Sequence, residues 1–331
     1  MSKRVLRAFG TLAAGSVIVV AVAVPSIGHS QPVEQGATLP RTPWGDPDLR
    51  GVYTNITSTP LERSPALGDK EFFTAEERTA IDTLTAQNLD RPPPPGSVGV
   101  YNGFWLTLGT LSERTSLIVD PPGGRLPTLT PRAQQLADTR AAVRSGPPAS
   151  WEVLNAYVRC ITRGLPGAML PGFYNHNYQI LQTSDYVALL VEMIHDVRII
   201  PLDGRPHLPG EIGQWLGDSR GHWEGDTLVV ETSNFNGNVD DHDTMGPLTI
   251  VLSAGSNLRL VERFTRIDAD TIDYQFTVTD LTTYTTPWTA AAPMTRIEES
   301  LYEYACHEGN YAMENMLRGA RVQEAISDGS R

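Results

Sequence analysis

The run Gly217–Thr232 (GDSRGHWEGDTLVVET) most constrains the fold, because it joins a Gly-x-Ser-x-Gly pattern to a β-branched stretch. The pattern around Ser219 is shared with serine hydrolases, whose nucleophile occupies a sharp turn between a strand and a helix. Here Ser219 is followed by Trp223, a Glu-Gly-Asp turn and the β-branched stretch Thr227–Thr232. That order predicts a β-hairpin. The run therefore indicates an antiparallel sheet more firmly than it indicates a nucleophile.

The C-terminal half is predicted to consist of sequential strands joined by short turns. Short connections favour an antiparallel meander, and seven or eight strands of this length are typical of a barrel or a sandwich. We therefore predict a mainly β fold, an antiparallel β-barrel or barrel-like sandwich preceded by a loop-rich segment with about three helices. The predicted strands are Tyr178–Thr183, Tyr186–His195, Val197–Leu202, Trp215–Trp223, Thr227–Asn234, Leu258–Ile267 and Thr271–Asp280.

The first thirty residues are predicted to be a secretory signal peptide. A basic start (Lys3, Arg4 and Arg7) precedes the apolar stretch Leu12–Val24, and small and polar residues follow in Pro25–Ser30. An uncleaved anchor is the alternative. No later stretch is long and apolar enough to span a bilayer. We expect a periplasmic or secreted chain without a membrane span after cleavage.

The remaining chain divides into a loop-rich region, 31–171, and a barrel-like domain, 172–331, on which it is expected to pack. Helix-capping residues mark the helices, including a capping box from Thr74 to Glu77 and proline at the first position after Thr130. The predicted helices are Thr74–Leu89, Thr130–Arg144, Ser150–Val158 and, at the end of the fold, Asn310–Leu317.

Charge and cysteine content limit the class of protein. The formal net charge is −12 without a basic stripe, which argues against nucleic acid and anionic membrane surfaces as partners. The two cysteines, Cys160 and Cys306, favour a disulfide in an exported chain, with two buried thiols as the alternative. The oligomeric state stays open.

Strand alternation identifies polar residues among apolar neighbours. In Val187–Ile199, alternation puts His195 on an apolar face, and puts Glu192 and Arg198 on the opposite, mixed face. A ligand cavity with a few fixed polar groups has this pattern. Buried ion pairs or an exposed face would produce the same pattern.

Two further strands show the same pattern. Glu231 shares a strand face with Val229, and Glu262 and Arg266 share a strand face with Phe264. His195 is the predicted general base, and a hydrogen-bonded core or rim histidine is the alternative. The predicted catalytic residues are His195, Glu231, Glu192, Arg198 and His176, and the predicted substrate-binding residues are Glu262, Arg266, Trp223 and Tyr174.

No cofactor or metal is predicted. The sequence has no His-Glu-x-x-His, no paired Cys-x-x-Cys, no Gly-x-Gly-x-x-Gly and no phosphate loop. The acidic stretch Asp240–Asp243 is able to hold a cation, but its composition favours a solvated loop.

Five segments are long enough to be compared with a known family: Arg114–Arg125 (RTSLIVDPPGGR), Arg198–His207 (RIIPLDGRPH), Gly217–Thr232, Leu260–Arg266 (LVERFTR) and Tyr302–Asn310 (YEYACHEGN). They resemble a mostly uncharacterised family of exported bacterial proteins that is common in environmental bacteria. The resemblance covers most of the chain after residue 30 and implies a mainly antiparallel β fold, without implying a reaction. The β half is also similar in style to lipocalin-type barrels, as architecture only.

These observations predict an exported, cofactor-independent enzyme that acts on a small apolar or aromatic molecule by acid–base chemistry, as a lyase, hydratase or isomerase. One alternative is a non-catalytic periplasmic carrier for the same ligands. The other is a serine hydrolase that uses Ser219.

Overall fold

Thirteen strands and three α-helices make up the part of the chain that the computed structural model describes, residues 39–89, 103, 106–239, 242–243, 249–250 and 255–329. The predicted signal peptide lies outside these residues, as do Asp240 and Asp241 of the acidic stretch. All described residues belong to one compact unit, Ala37–Arg331.

The strands are β1 Gly51–Thr54, β2 Ile118–Asp120, β3 Asn177–Gln182, β4 Tyr186–Val191, β5 Val197–Pro201, β6 Asp218–Glu224, β7 Thr227–Ser233, β8 His242–Asp243, β9 Thr249–Ile250, β10 Arg259–Arg266, β11 Thr271–Thr279, β12 Trp288–Ala291 and β13 Met294–Ile297. The α-helices are α1 Ala75–Leu89, α2 Pro131–Arg144 and α3 Ala312–Gly329.

Eleven strands form one antiparallel sheet, which confirms the mainly β prediction. Its hydrogen-bonded order is β5-β4-β3-β1-β13-β11-β10-β7-β6, and β12 joins β2 to β11. Strand β1, from the region 31–171, lies between β3 and β13. Among the described strands, β5 and β6 are the two ends of this order and do not pair, so backbone hydrogen bonds do not close the sheet.

The predicted hairpin is confirmed in β6 and β7. Glu224 pairs with Thr227, and the two-residue turn between them contains Gly225 at φ +59°. Glycine adopts this left-handed conformation without the steric cost that a side chain adds. Ser219 lies in β6 opposite Thr232, within a strand rather than at a strand-to-helix turn.

Local capping chemistry sets the starts of the first two helices as predicted. The Thr74 N–H donates to Glu77 Oε2 (2.8 Å) and the Glu77 N–H donates to Thr74 Oγ1 (3.2 Å), a complete capping box. At α2, Thr130 Oγ1 accepts from the Ala133 N–H at 3.2 Å.

Two other helix predictions are wrong in extent. Ser150 caps only a single 3₁₀ turn, Trp151–Val153. The last helix, α3, is longer than the predicted Asn310–Leu317. Strands β12 and β13, which both pair with β11, were not predicted, because the alanine-rich sequence around Pro293 lacks the β-branched alternation that identifies strands.

The two end strands of the sheet meet through side chains. A Cβ placed on Gly221 of β6 would lie 2.8 Å from Ile200 Cγ2 of β5, so a larger residue at this position would displace the side chain of Ile200. The interior nearby contains a ladder of rings in which Phe264, Tyr274 and Phe276 lie in sequence at centroid distances of 4.8 and 5.8 Å. Aromatic packing of this kind buries a large apolar area.

The disulfide prediction is confirmed. Cys160 and Cys306 are bonded, with their Cα atoms 5.8 Å apart and 146 residues apart in sequence. The bond ties the segment that precedes β3 to the segment that follows β13. No helix of the described residues is long and apolar enough to cross a membrane.

Candidate functional site

The chain reverses direction between β4 and β5, and this changes where His195 lies. The turn Met193–His195 contains two positive φ angles, at Ile194 (64°) and His195 (51°). Side-chain alternation therefore stops at Val191 and starts again at Val197. The prediction that His195 shares the apolar face of β4 is wrong, because His195 is exposed on the turn.

Glu231 is also exposed, on the face of β7 that points away from the core. The predicted alternation of β7 is correct, but Leu228, Val230 and Thr232 are the side chains that face the interior. Glu231 lies between Arg220 of β6 and Val261 of β10 in the ladder. The catalytic roles of His195 and Glu231 stay predictions.

Arg198 and Glu262 meet in the interior, where they form an ion pair. Arg198 is 3% exposed and Glu262 is fully buried. Arg198 Nη1 donates to Glu262 Oε1 at 3.0 Å, and Nη2 donates to Oε2. Desolvation lowers the pKa of Arg198, but the charge and hydrogen bonds of Glu262 outweigh it, so the pKa is raised overall.

Three hydroxyl groups complete this buried ion-pair network, which consists of Arg198, Glu262, Tyr274, Ser219 and Thr232. The Tyr274 hydroxyl donates to Glu262 Oε1 at 2.9 Å, and burial followed by the nearby carboxylate raises the pKa of Tyr274. Arg198 Nη2 donates to Ser219 Oγ at 3.3 Å, and the Ser219 and Thr232 hydroxyls are 2.9 Å apart.

Ser219 therefore has hydrogen-bond partners other than a histidine. Its Oγ contacts Arg198 and Thr232, and no imidazole of the described residues is bonded to it. A serine nucleophile needs an adjacent general base. The serine hydrolase hypothesis stays a prediction, and in this arrangement no histidine of the described residues is placed to act as the general base for Ser219.

A second polar group of side chains, the histidine cluster, consists of His176, Arg163, Tyr174 and Tyr157. His176 directly precedes β3 and is 5% exposed. Its Nδ1 is bonded to the Tyr174 carbonyl oxygen, and Arg163 Nη1 donates to its Nε2. A carbonyl oxygen only accepts, so Nδ1 carries the proton and Nε2 presents its lone pair.

The surroundings of His176 keep it neutral. Burial and then the charge of Arg163 lower the pKa of His176 to about 3, against the weaker opposing effect of the Tyr174 carbonyl. The ring lies against Gly172, where a Cβ would be 1.9 Å from His176 Cε1. Three contacts together fix the tautomer and the orientation of the ring: those with the Gly172 backbone, the Tyr174 carbonyl and the Arg163 guanidinium.

An aromatic ring lies next to Arg163. The Tyr157 ring centroid lies 5.5 Å from Arg163 Cζ, a cation–π contact, and Tyr157 and Tyr174 are both half-buried. The buried Tyr178 hydroxyl donates to the Ala168 carbonyl at 3.2 Å, and burial raises the pKa of Tyr178. The cluster combines a cation, a neutral imidazole and apolar ring surface.

Glu192 contacts the residue that follows His176, although the two are far apart along the chain. Asn177, the residue after His176, donates from Nδ2 to Glu192 Oε2 at 2.7 Å, and the Tyr302 N–H donates to Oε1 at 3.0 Å. Three predicted residues, His176, Tyr174 and Glu192, are thus brought together at the start of β3.

The other two predicted substrate-binding residues have separate positions. Arg266 donates to the backbone carbonyls of Asp48, Asp268 and Ala269 and is buried, so it ties β10 to the segment that precedes β1. Trp223 packs against the core near the end of β6.

Arg163 and Tyr274 were not predicted. Tyr274 lies on the inward face of β11, and strand alternation identifies the residues of that face only as part of the core. Arg163 lies in irregular structure, where no periodicity marks a face. The available signal was its place as the only acidic or basic residue, histidine aside, in the stretch 160–177.

No group of three or more His, Cys, Asp or Glu side chains that could hold a metal ion occurs among the described residues. An open groove of about 740 Å³ runs along one face of α1 and contains no predicted site residue; it is lined by Ala75, Glu76, Thr79, Ala80, Thr83, Leu84 and Gln87. Comparison with protein-family models, curated proteins and solved structures finds no match. The resemblance to an exported bacterial family stays a prediction.

Proposed function

We propose that the protein is a cofactor-independent enzyme that acts on a small apolar or aromatic molecule by acid–base chemistry at the histidine cluster. The observation that supports this most is His176, a buried neutral imidazole whose tautomer is fixed and whose Nε2 lone pair faces a guanidinium. Enzymes that move protons at neutral pH commonly use such an oriented histidine.

The proton acceptor in this proposal is His176 Nε2. In the free protein, Arg163 occupies that lone pair through its Nη1. A polar group of the substrate that engages the guanidinium frees Nε2 to accept a proton, as elimination, hydration or isomerisation requires. Glu192 is a positioning residue here, because it holds Asn177 next to His176.

A curled, barrel-like sheet would give this chemistry an enclosed interior. The close approach of Gly221 to Ile200 and the contact between Arg198 and Ser219 support such a closure through side chains of β5 and β6. Small barrels of this kind hold one small ligand. Export to the periplasm or the outside is supported by the disulfide, since such bonds persist in oxidising compartments.

The test uses two histidines with opposite surroundings. Incubation with a panel of small aromatic and apolar molecules, followed by mass spectrometry, identifies a substrate. We then expect His176→Asn to lower kcat by about 10²-fold or more. The matched variant His222→Asn, at an exposed position of β6, should keep turnover. Full turnover by His176→Asn would sink the proposal.

A non-catalytic carrier for the same ligands is the second candidate. Two observations favour it. Arg198 and Glu262 neutralise each other in a buried pair, and His195 and Glu231 lie on the surface. A carrier predicts that ligands raise the thermal unfolding midpoint while mass spectrometry finds no product.

A further inference from the structure

Four arginines of the described residues are buried, and three of them donate to oxygen atoms. Arg63 donates to the Thr115 hydroxyl at 2.9 Å, Arg198 to a carboxylate and Arg266 to backbone carbonyls. Oxygen acceptors of this kind offset the loss of hydration that a charged group suffers on burial.

Arg163 is the exception. Its side chain donates to His176 Nε2 and lies over the Tyr157 ring, and no oxygen acceptor for it occurs among the described residues. It is 5% exposed, and desolvation lowers the pKa of Arg163. A neutral imidazole and an aromatic face compensate a buried positive charge poorly, so an anion next to Arg163 would be strongly favoured.

We propose that Arg163 binds the carboxylate of the ligand, and that the ligand class is small aromatic or apolar monocarboxylates. The guanidinium fork matches a carboxylate geometrically. One guanidinium beside a neutral His176 balances a single negative charge, which selects a monoanion over a dianion. The half-buried ring of Tyr157, which lies next to the guanidinium, suits an apolar or aromatic body.

This inference deepens the proposed function and rests on it for one further step. When the carboxylate takes over the hydrogen bonds of Arg163, His176 Nε2 is released and gains a negative neighbour. A nearby anion favours the protonated imidazole, so His176 becomes a stronger base when ligand is bound. Binding and base activation are thereby coupled.

The first experiment measures thermal unfolding of the full chain with probe ligands. Benzoate and phenylacetate at saturating concentration should raise the unfolding midpoint by about 2 °C or more. Benzamide, which has the same shape as benzoate without the charge, and inorganic phosphate should raise it much less. Arg163→Met should lose the carboxylate effect, and Arg259→Met, at an exposed position of β10, should keep it.

The second experiment needs no ligand. Because Arg163 lacks a counter-charge among the described residues, Arg163→Met should have an unfolding midpoint at least as high as that of the unmodified protein. Arg198→Met, which leaves Glu262 buried without its partner, should lower the midpoint by several degrees. This pair of variants separates an arginine kept for binding from one kept for stability.

Three results would overturn the inference: no stabilisation by either carboxylate, equal stabilisation by benzoate and benzamide, or a loss of midpoint in Arg163→Met as large as in Arg198→Met. Failure of the proposed function has a different outcome. Carboxylates would still stabilise the protein through Arg163, while no panel compound is converted.

Discussion

Arg198 on β5 and Glu262 on β10 form a buried, doubly hydrogen-bonded ion pair across the interior of the sheet. In the hydrogen-bonded order, β4, β3, β1, β13 and β11 all lie between these two strands. The pair therefore connects an end strand directly to a distant strand, independently of the backbone ladder.

Removing one partner of this pair should destabilise the protein strongly. We expect Arg198→Met to lower the free energy of unfolding by about 3–5 kcal/mol, because a buried carboxylate is left without a counter-charge. Arg263→Met, which breaks the exposed pair with Glu224, should cost far less, because water and salt screen exposed charges. Chemical denaturation measures both. The double variant Arg198→Met/Glu262→Met should recover much of the loss, and equal losses in the single and double variants would contradict this account.

The disulfide should make a large contribution through the unfolded state. It closes a loop between residues 146 positions apart, and chain-entropy arguments give such loops on the order of 4–5 kcal/mol as an upper value. Cys160→Ala/Cys306→Ala should therefore unfold at lower denaturant concentration, by a margin that the same assay resolves. Peptide mapping without reductant should recover Cys160 and Cys306 in one linked fragment. Two separate thiol-containing fragments would refute the bond.

His176 should make stability depend on pH. Its folded-state pKa of about 3 lies below the value of about 6.5 expected in the unfolded chain. The contribution of His176 is thus complete above pH 6.5 and is lost as pH falls from there toward 3, by about 1.4 kcal/mol per pH unit below pH 6.

The comparison of the unmodified protein with His176→Asn isolates this effect. Burial raises the pKa of Asp196 and Asp273, which act in the opposite direction but are present in both proteins. Denaturation at several pH values between 4.5 and 7.5 should show a smaller pH dependence in the variant. Parallel curves would show that His176 titrates normally.

Gly172 should be required for the position of His176. A Cβ at residue 172 would overlap the imidazole, whereas one at Gly146 meets no atom within 4 Å. Gly172→Ala should cost about 1–3 kcal/mol by overpacking and shift the His176 imidazole NMR signals. Gly146→Ala serves as the matched control. If both variants gave the spectrum of the unmodified protein, the close packing of His176 would be wrong.

Ser219 should not react with a fluorophosphonate probe. Its hydroxyl is buried and bonded to Thr232 and Arg198, which leaves it without the general base that activates a serine nucleophile. Protein with demonstrated ligand binding is incubated with the probe and examined by intact mass, with Ser219→Ala as the control. Labelling that disappears in the variant would restore the serine hydrolase hypothesis.

The sequence predicted features that depend on neighbours along the chain. Capping of α1 by Thr74 and Glu77 and the β6–β7 hairpin with its turn at Gly225 were read correctly, because each depends on a few adjacent residues. Alternation also grouped Glu262 with Arg266 on one face of β10, and both are buried. The predicted export made the Cys160–Cys306 bond the expected pairing, and the bond is present.

Strand alternation did not predict which face of each strand points into the interior. Period-two patterns assign residues to two faces but do not say which face is buried, so Glu231 and Thr232 were equally eligible for the interior. A turn with two positive φ angles at Ile194 and His195 also restarted the alternation, which moved His195 to the surface and left Arg198 inside.

By itself, the sequence determined local structure: where α1 and α2 begin, and that Gly217–Thr232 folds as a hairpin rather than as a nucleophile turn. The tertiary structure alone decided which polar residues meet. Arg163 and His176 come together beside Gly172, and Arg198 meets Glu262 across 64 positions of sequence. Such contacts arise from packing of distant segments around one core, and no local pattern in the chain encodes that packing.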